Sequence, residues 1–220
     1  MLYFSDSSMT EQKMNIDHLV FAAHDLEAGV AWMEQQLGMP PAAYGQHALM
    51  GTHNALWSLG SCYLEVIAIQ PGVSVPRARW FGLDTSDIQQ RLTRGVQFLT
   101  WQVRVTDVEA CAKASAHDLG QPLRVTRDDL HWRLTVRADG TMPGDGAIPV
   151  HLEWGQGVPT PETTLRDDGL RLSALTVGTA GIGAALTELG VAHLVTTDAE
   201  TTDLSAVIQT ATGPVTLRSD

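Results

Sequence analysis

Cysteine, lysine and long apolar runs are what this sequence has least of. Its two cysteines, Cys62 and Cys111, fit no metal-ligand spacing and neither require nor exclude one disulfide. Such sparse cysteine points to a reducing cytoplasm as the expected compartment. Basic residues are few: Lys13 stands alone before Arg77, and Lys+Arg 14 against Asp+Glu 25 gives a formal net charge of -11. That field repels phosphate backbones and anionic bilayers, so neither nucleic acid nor membrane is an expected partner. No stretch approaches the ~20 apolar residues of a membrane span, and the first ten residues lack the positive start and apolar run of a signal peptide. There is no phosphate loop, nucleophile elbow or redox cysteine pair, and no nucleotide cofactor is expected.

What is present is a 220-residue chain, 44% hydrophobic, with 20 Gly and 10 Pro. This composition describes a loop-rich globular protein and excludes a coiled coil, a collagen-like chain or a disordered tail. Residues 1–14 form an expected disordered N-terminus. From Asn15 to Ala23 the pattern is β-like, Asp25 is a helix cap, and Leu26–Leu37 has apolar residues at helical spacing before Gly38. Strands near Gln46–Met50, Ala55–Ser58 and Cys62–Ile69 follow, ended by Pro71-Gly72.

After a linker, residues 72–94, with a short helix expected over Ser86–Leu92, the order returns. A strand covers Val96–Val105, Asp107 caps a helix over Val108–Leu119, and strands follow near Leu123–Thr126, His131–Arg137 and Ile148–Trp154. Asp25-Leu26-Glu27-Ala28 and Asp107-Val108-Glu109-Ala110 are 82 residues apart, as are Gly38 and Gly120. The reading is an α+β fold of two βαβββ modules, residues 15–71 and 95–155, paired into a half-barrel around a cleft. Residues 165–220 read as a degraded third module, a small C-terminal α/β segment, and unpaired module edges lead us to expect a homodimer.

Period-two alternation places Ile16, His18, Val20 and Ala22 on one face of the first strand, with Asp17, Leu19 and Phe21 on the other. In the closing strand Tyr63, Glu65, Ile67 and Ile69 share a face. His18 and Glu65 thus each sit in an apolar stripe, where a buried carboxylate needs a partner. The second module offers His151 and Glu153 on one face of its last strand. A site of His18, Glu65 and Glu153 would suit Zn, Fe, Mn or Ni and leave open positions for Lewis-acid work, with Glu65 and Glu153 also candidates for catalysis. His53 and His151 are substitutes in that set. The same residues also suit ion pairs from Arg104 or Arg133 to Glu65 and Glu153, with no metal. His53, Asn54, Thr100, Gln102, Arg104, Arg133 and His151 are candidates for substrate binding, and Cys62 and Cys111 read as small core residues.

Ile-Asp-His-Leu-Val-Phe-Ala-Ala-His-Asp-Leu, Gly-Thr-His-Asn-Ala-Leu and Tyr-Leu-Glu-Val-Ile-Ala resemble the vicinal oxygen chelate superfamily, in particular its glyoxalase-like branch. The resemblance covers roughly residues 15–155. It implies a divalent metal held from first and last strands at positions matching His18, Glu65, Thr100 and Glu153, and Thr100 departs from the imidazole or carboxylate usual there. It also implies that Trp101 packs outward while Gln102 and Arg104 face the cleft. The expected function is that of a metal-dependent lyase or isomerase acting on a small oxygenated metabolite. A metal-free binding protein, holding an apolar molecule between Trp57, Tyr63 and Trp132, is the alternative.

Overall fold

The computed structural model describes residues 14–219, so the expected disordered N-terminus lies, apart from Met14, outside the described residues. The first module runs β1 (Asn15–Ala22), α1 (Leu26–Leu37), β2 (Ala43–His47), β3 (Thr52–Ser58) and β4 (Tyr63–Ile69). The second runs β5 (Gln97–Arg104), α3 (Val108–Ala114), β6 (Gln121–Arg127), β7 (Leu130–Val136) and β8 (Val150–Trp154). Between them lies α2, Ser86–Leu92, with the bounds read from sequence.

The helix starts follow from local chemistry. Asp25 accepts a hydrogen bond from the Ala28 amide at 3.0 Å and Asp107 one from the Ala110 amide at 2.9 Å, each satisfying a first-turn donor that no helical carbonyl reaches. Gly38 ends α1 in the left-handed conformation, φ 75°, where a side chain would be strained. The second helix is shorter than its periodicity suggests, ending at Ala114 rather than Leu119. Ser115 turns extended, and its hydroxyl accepts from the His117 amide, a local bond that competes with the helix.

All eight strands form one sheet in the order β2-β3-β4-β1-β5-β8-β7-β6. The pairing of β1 with β5 is antiparallel and joins the modules about a pseudo-two-fold axis. The sheet curves until its edges, β2 and β6, lie against each other, so the half-barrel is nearly closed. The two edges lie in contact but form no ladder with each other.

The residues 165–220 keep the expected element order: β9 (Arg171–Gly178), α4 (Gly183–Glu188), β10 (Thr196–Asp198), β11 (Leu204–Thr210) and β12 (Gly213–Arg218). Their connectivity differs from that of a module. In the modules the first strand pairs in parallel with the last, whereas β9 pairs in parallel with β10 and antiparallel with β11, giving the order β10-β9-β11-β12. This second sheet covers the outer face of the barrel together with α1. Leu19, Phe21, Leu64, Trp101 and Val103 share one core with Val177, Leu186, Ala206 and Ile208. A separate cluster, including Val20, Ile67, Leu99, Leu134 and Leu152, fills the inner face beside the cleft.

Candidate functional site

The cleft is floored by β1, β4 and β5. Ladder register sets His18 opposite Tyr63 and Gln102, and Val20 opposite Glu65. His18 and Glu65 therefore meet as alternation required: His18 Nε2 is 3.6 Å from Glu65 Oε2, and both residues are buried. The Asn54 amide donates to Glu65 Oε1 at 2.5 Å. The His18 ring stacks on Tyr63 at 4.4 Å between centroids.

Asp17 is the residue that alternation misplaced. The β1–β5 ladder skips it between Ile16 and His18, a bulge that brings two neighbouring side chains to the same side. Its Oδ1 lies 2.7 Å from His18 Nδ1, and its Oδ2 accepts from Arg104 Nη2 at 2.7 Å and Trp154 Nε1 at 2.9 Å. Arg104 also pairs with Glu162. Arg104 thus braces Asp17 from behind, in place of the expected role of facing substrate.

Burial by itself would raise the carboxyl pKa of Asp17, but the hydrogen bond and charge of His18, with Arg104, outweigh it and hold Asp17 below the usual range. Glu65 is lowered in the same way, against burial, chiefly by His18. Burial opposes the charge of His18, yet its two carboxylates prevail and raise it. The two carboxylates thus favour the imidazolium form of His18. His47 is the opposite case: burial pushes it down to about 4 and keeps it neutral. Its Nδ1 meets Thr52 Oγ1 at 3.2 Å, and its ring is edge-on to Trp80 and Trp132.

Trp80 and Phe81 come from the linker and roof the cleft. Phe81 is buried with φ 58°, a left-handed conformation costly for a bulky side chain, held by stacking on Trp80. The cavity at the centre is ≈ 30 Å³, room for about two water molecules.

Other expected residues lie elsewhere. In the second module Gln102, the 82-residue equivalent of Val20, opposes Val150, so the true counterpart of Glu65 is Val150 and not Glu153. Three positions of offset reverse the side of the strand. Glu153 therefore faces outward, where Arg133 donates to both its oxygens at 2.8 Å and the Val108 amide to Oε2 at 2.9 Å. Both Glu153 and Arg133 are satisfied there, the ion-pair alternative for that pair. His151 shares the outward side; its Nδ1 donates to the Pro149 carbonyl at 3.2 Å, and burial pushes it to about 4. His53, partly exposed on the outward side of β3, and Trp57, which donates to the Met39 carbonyl, are also outside the cleft. Thr100 is buried and donates to the Gly146 carbonyl at 3.0 Å. Asn54 and Gln102 line the cleft as expected, and Trp101 packs outward. The Cys62 thiol, buried and pushed up to about 12, is unreactive.

The metal implied by the resemblance needs donors at four positions. Two of those positions are Thr100, whose hydroxyl is spent on a backbone carbonyl, and Val150, which has no donor. Among the described residues no group of three His, Cys, Asp or Glu side chains is placed to hold an ion. The residues present do not fit the family's metal. His47, Asp17, Trp80, Phe81 and Arg127 complete the site without having been singled out for it. The only sequence signal was a charged residue, Asp17, set within an apolar strand.

Paired βαβββ modules closed around a cleft, with an imidazole on the first strand and a carboxylate on the last, define a domain of the vicinal oxygen chelate type. The glyoxalase-like domain family profile matches residues 16–195, and the chain belongs to that family. No curated protein matches it. The structure is similar to that of a hypothetical protein from Staphylococcus aureus, with 11% identity and a TM-score of 0.59, covering 94% of this chain and 85% of that one. At that identity the likeness bears on fold alone. Weaker likenesses include methylmalonyl-CoA epimerase from Mycobacterium tuberculosis, 18% identical with a TM-score of 0.41 over 64% of this chain and 86% of that one. A mutant 4-hydroxymandelate synthase from Streptomyces coelicolor is 13% identical with a TM-score of 0.43, over 94% and 63%. Among the described residues no helix is long and apolar enough to cross a membrane.

Proposed function

We propose that this chain is an isomerase or lyase that moves a proton at the carbon beside an oxygenated centre of a small metabolite. The supporting observation is the buried, opposed pair of His18 and Glu65, 3.6 Å apart and each held from behind, His18 by Asp17 and Glu65 by Asn54. In this reading a substrate carbonyl oxygen enters the gap and accepts from His18 Nε2–H. Glu65 takes the proton from the adjacent carbon, the C–H electron pair moves to the carbonyl oxygen, and the imidazolium stabilises that negative charge. Reprotonation at carbon completes an isomerisation; loss of a β-substituent with its electron pair completes an elimination. The depressed pKa of Glu65 belongs to the unliganded pair, and separating it from His18 by substrate makes the carboxylate a better base. The expected metal dependence is replaced by charge already in the chain.

The test is solvent deuterium exchange followed by proton NMR on a panel of 2-oxo and 2-hydroxy acids and their neutral amides. Wild type is expected to exchange the proton beside the carbonyl of at least one compound about a hundredfold or more above buffer. Glu65→Gln should lose that exchange and keep binding, and chelator-dialysed protein should keep both. Binding without exchange anywhere in the panel would overturn the reading in favour of sequestration. Exchange lost on chelation would restore the metal.

A further inference from the structure

We propose that the cleft takes a compact organic acid and that Arg127 holds its carboxylate; this names the substrate of the His18–Glu65 pair and so rests on the proton-transfer reading. Arg127 is the last residue of β6, half-buried at the lip where β6 meets β2, and its side chain lines the cleft. Its backbone pairs with Leu130 in the β6–β7 ladder, and among the described residues its guanidinium has no hydrogen bond or ion pair. Arg104 and Arg133, by contrast, are each saturated by carboxylates. A half-buried guanidinium with no carboxylate on it is a local exception in an acidic chain, and it is open to an anion that enters the cleft.

Gly45 brings that cation to the reacting pair. A Cβ at Gly45 would lie 2.3 Å from Arg127 Nη1 and 2.8 Å from Asn54 Oδ1, so the missing side chain leaves one shared space for the guanidinium and the amide. The other end of that amide is bonded to Glu65. A carboxylate on Arg127 is thus one amide group away from the base.

The remaining polar atoms fit the same ligand. Asn54 Oδ1, Gln102 Oε1 and Trp80 Nε1 are buried on cleft-lining residues and have no hydrogen-bond partner. An unmet buried polar atom costs about 1–3 kcal/mol, so such a group is normally satisfied by water or ligand. Two acceptors suit a hydroxyl or enol O–H, and the indole N–H with the guanidinium suits a carboxylate. His18 and Arg104 are shared among Asp17, Glu65 and Glu162, so Arg127 is the cation whose hydrogen-bond donors are left for a ligand carboxylate. A phosphate dianion would be left half-neutralised beside Glu65. The cleft is narrow at its centre, ≈ 30 Å³, which favours a short acid over a long one.

The experiment measures binding of pyruvate and its neutral amide, by calorimetry, to wild type, Arg127→Gln and Gly45→Ala, with the deuterium-exchange assay run alongside. Wild type should prefer the acid by about tenfold, the size of one charge-assisted bond in partly exposed surroundings. Arg127→Gln should reduce that preference to about twofold or less, chiefly by weakening acid binding. Gly45→Ala should also reduce it, by displacing the flexible guanidinium while leaving its charge in place. Equal binding of acid and amide to wild type, no acid binding, or a preference unchanged in Arg127→Gln would overturn the assignment. Exchange that persists without acid preference sinks only the role of Arg127. Acid preference without exchange sinks only the proton-transfer reading.

Discussion

Asp17 decides the chemistry of its neighbour. Held by His18, Arg104 and Trp154, it fixes the imidazole through Nδ1 and leaves Nε2 toward Glu65. Replacing Asp17 with Asn keeps the shape but removes the charge that Arg104 and His18 share. We expect Asp17→Asn to destabilise the fold by on the order of 3 kcal/mol in urea denaturation, the cost of leaving a mostly buried charge without its partner. The His18 pKa should fall in the same protein, read from its ring-proton shifts. A variant as stable as wild type, with an unchanged His18 titration, would show that the bulge does not set the state of the site.

At the scale of elements, α1 reaches the sheet through Gly29. In an exposed helix Gly→Ala gains about 1 kcal/mol of propensity. Here the new Cβ would lie 2.5 Å from Ala23 Cβ and 2.9 Å from Val66 Cγ1, neither of which can swing away. The helix must lift off β1 and β4, and overpacking of this kind costs about 1–3 kcal/mol. Gly29→Ala is therefore expected to lower stability by about 1 kcal/mol, against the sign that propensity alone dictates. Chemical denaturation checks it, and a gain in stability would mean that α1 has slack.

Across the whole molecule, several buried groups set a pH optimum. His47 and His151 titrate at about 4 in the fold against 6.5 unfolded, so between those values the unfolded chain binds more protons and stability rises with pH. Each contributes up to about 3 kcal/mol over that window. The lowered carboxyls of Asp17 and Glu65 act in the same direction further down: their contribution is present above their ordinary values, 3.8 and 4.5, and is lost as pH falls through the folded ones. His18 works the other way, since its raised value means a contribution complete below 6.5 and lost as pH climbs through the folded pKa. The melting temperature should peak near neutral pH and fall more steeply on the acid side, with a shallower acid limb in His47→Gln. Scanning fluorimetry from pH 4 to 9 reads this, and a flat profile from 6.5 to 4.5 would refute it.

The module pattern, the helix caps, the meeting of His18 with Glu65 and the short linker helix were all legible in the sequence. Each depends on local spacing, capping chemistry or two-residue alternation, which a chain carries whatever surrounds it. Three decisions were not local. The bulge at Asp17 exists only where β1 meets β5, and it turned an outward residue into the partner of His18. The pairing of Gln102 with Val150 set the face of β8, and the placing of Glu153 at the metal position was overruled by register. Barrel closure placed Arg127 over Gly45, 82 residues away in the chain, and folded Trp80 and Phe81 over the cleft. The sequence by itself determined which modules form and which two ionisable groups share an apolar face. Tertiary structure decided which charges are spent on one another and which remain for a ligand, because that depends on register and closure between distant strands.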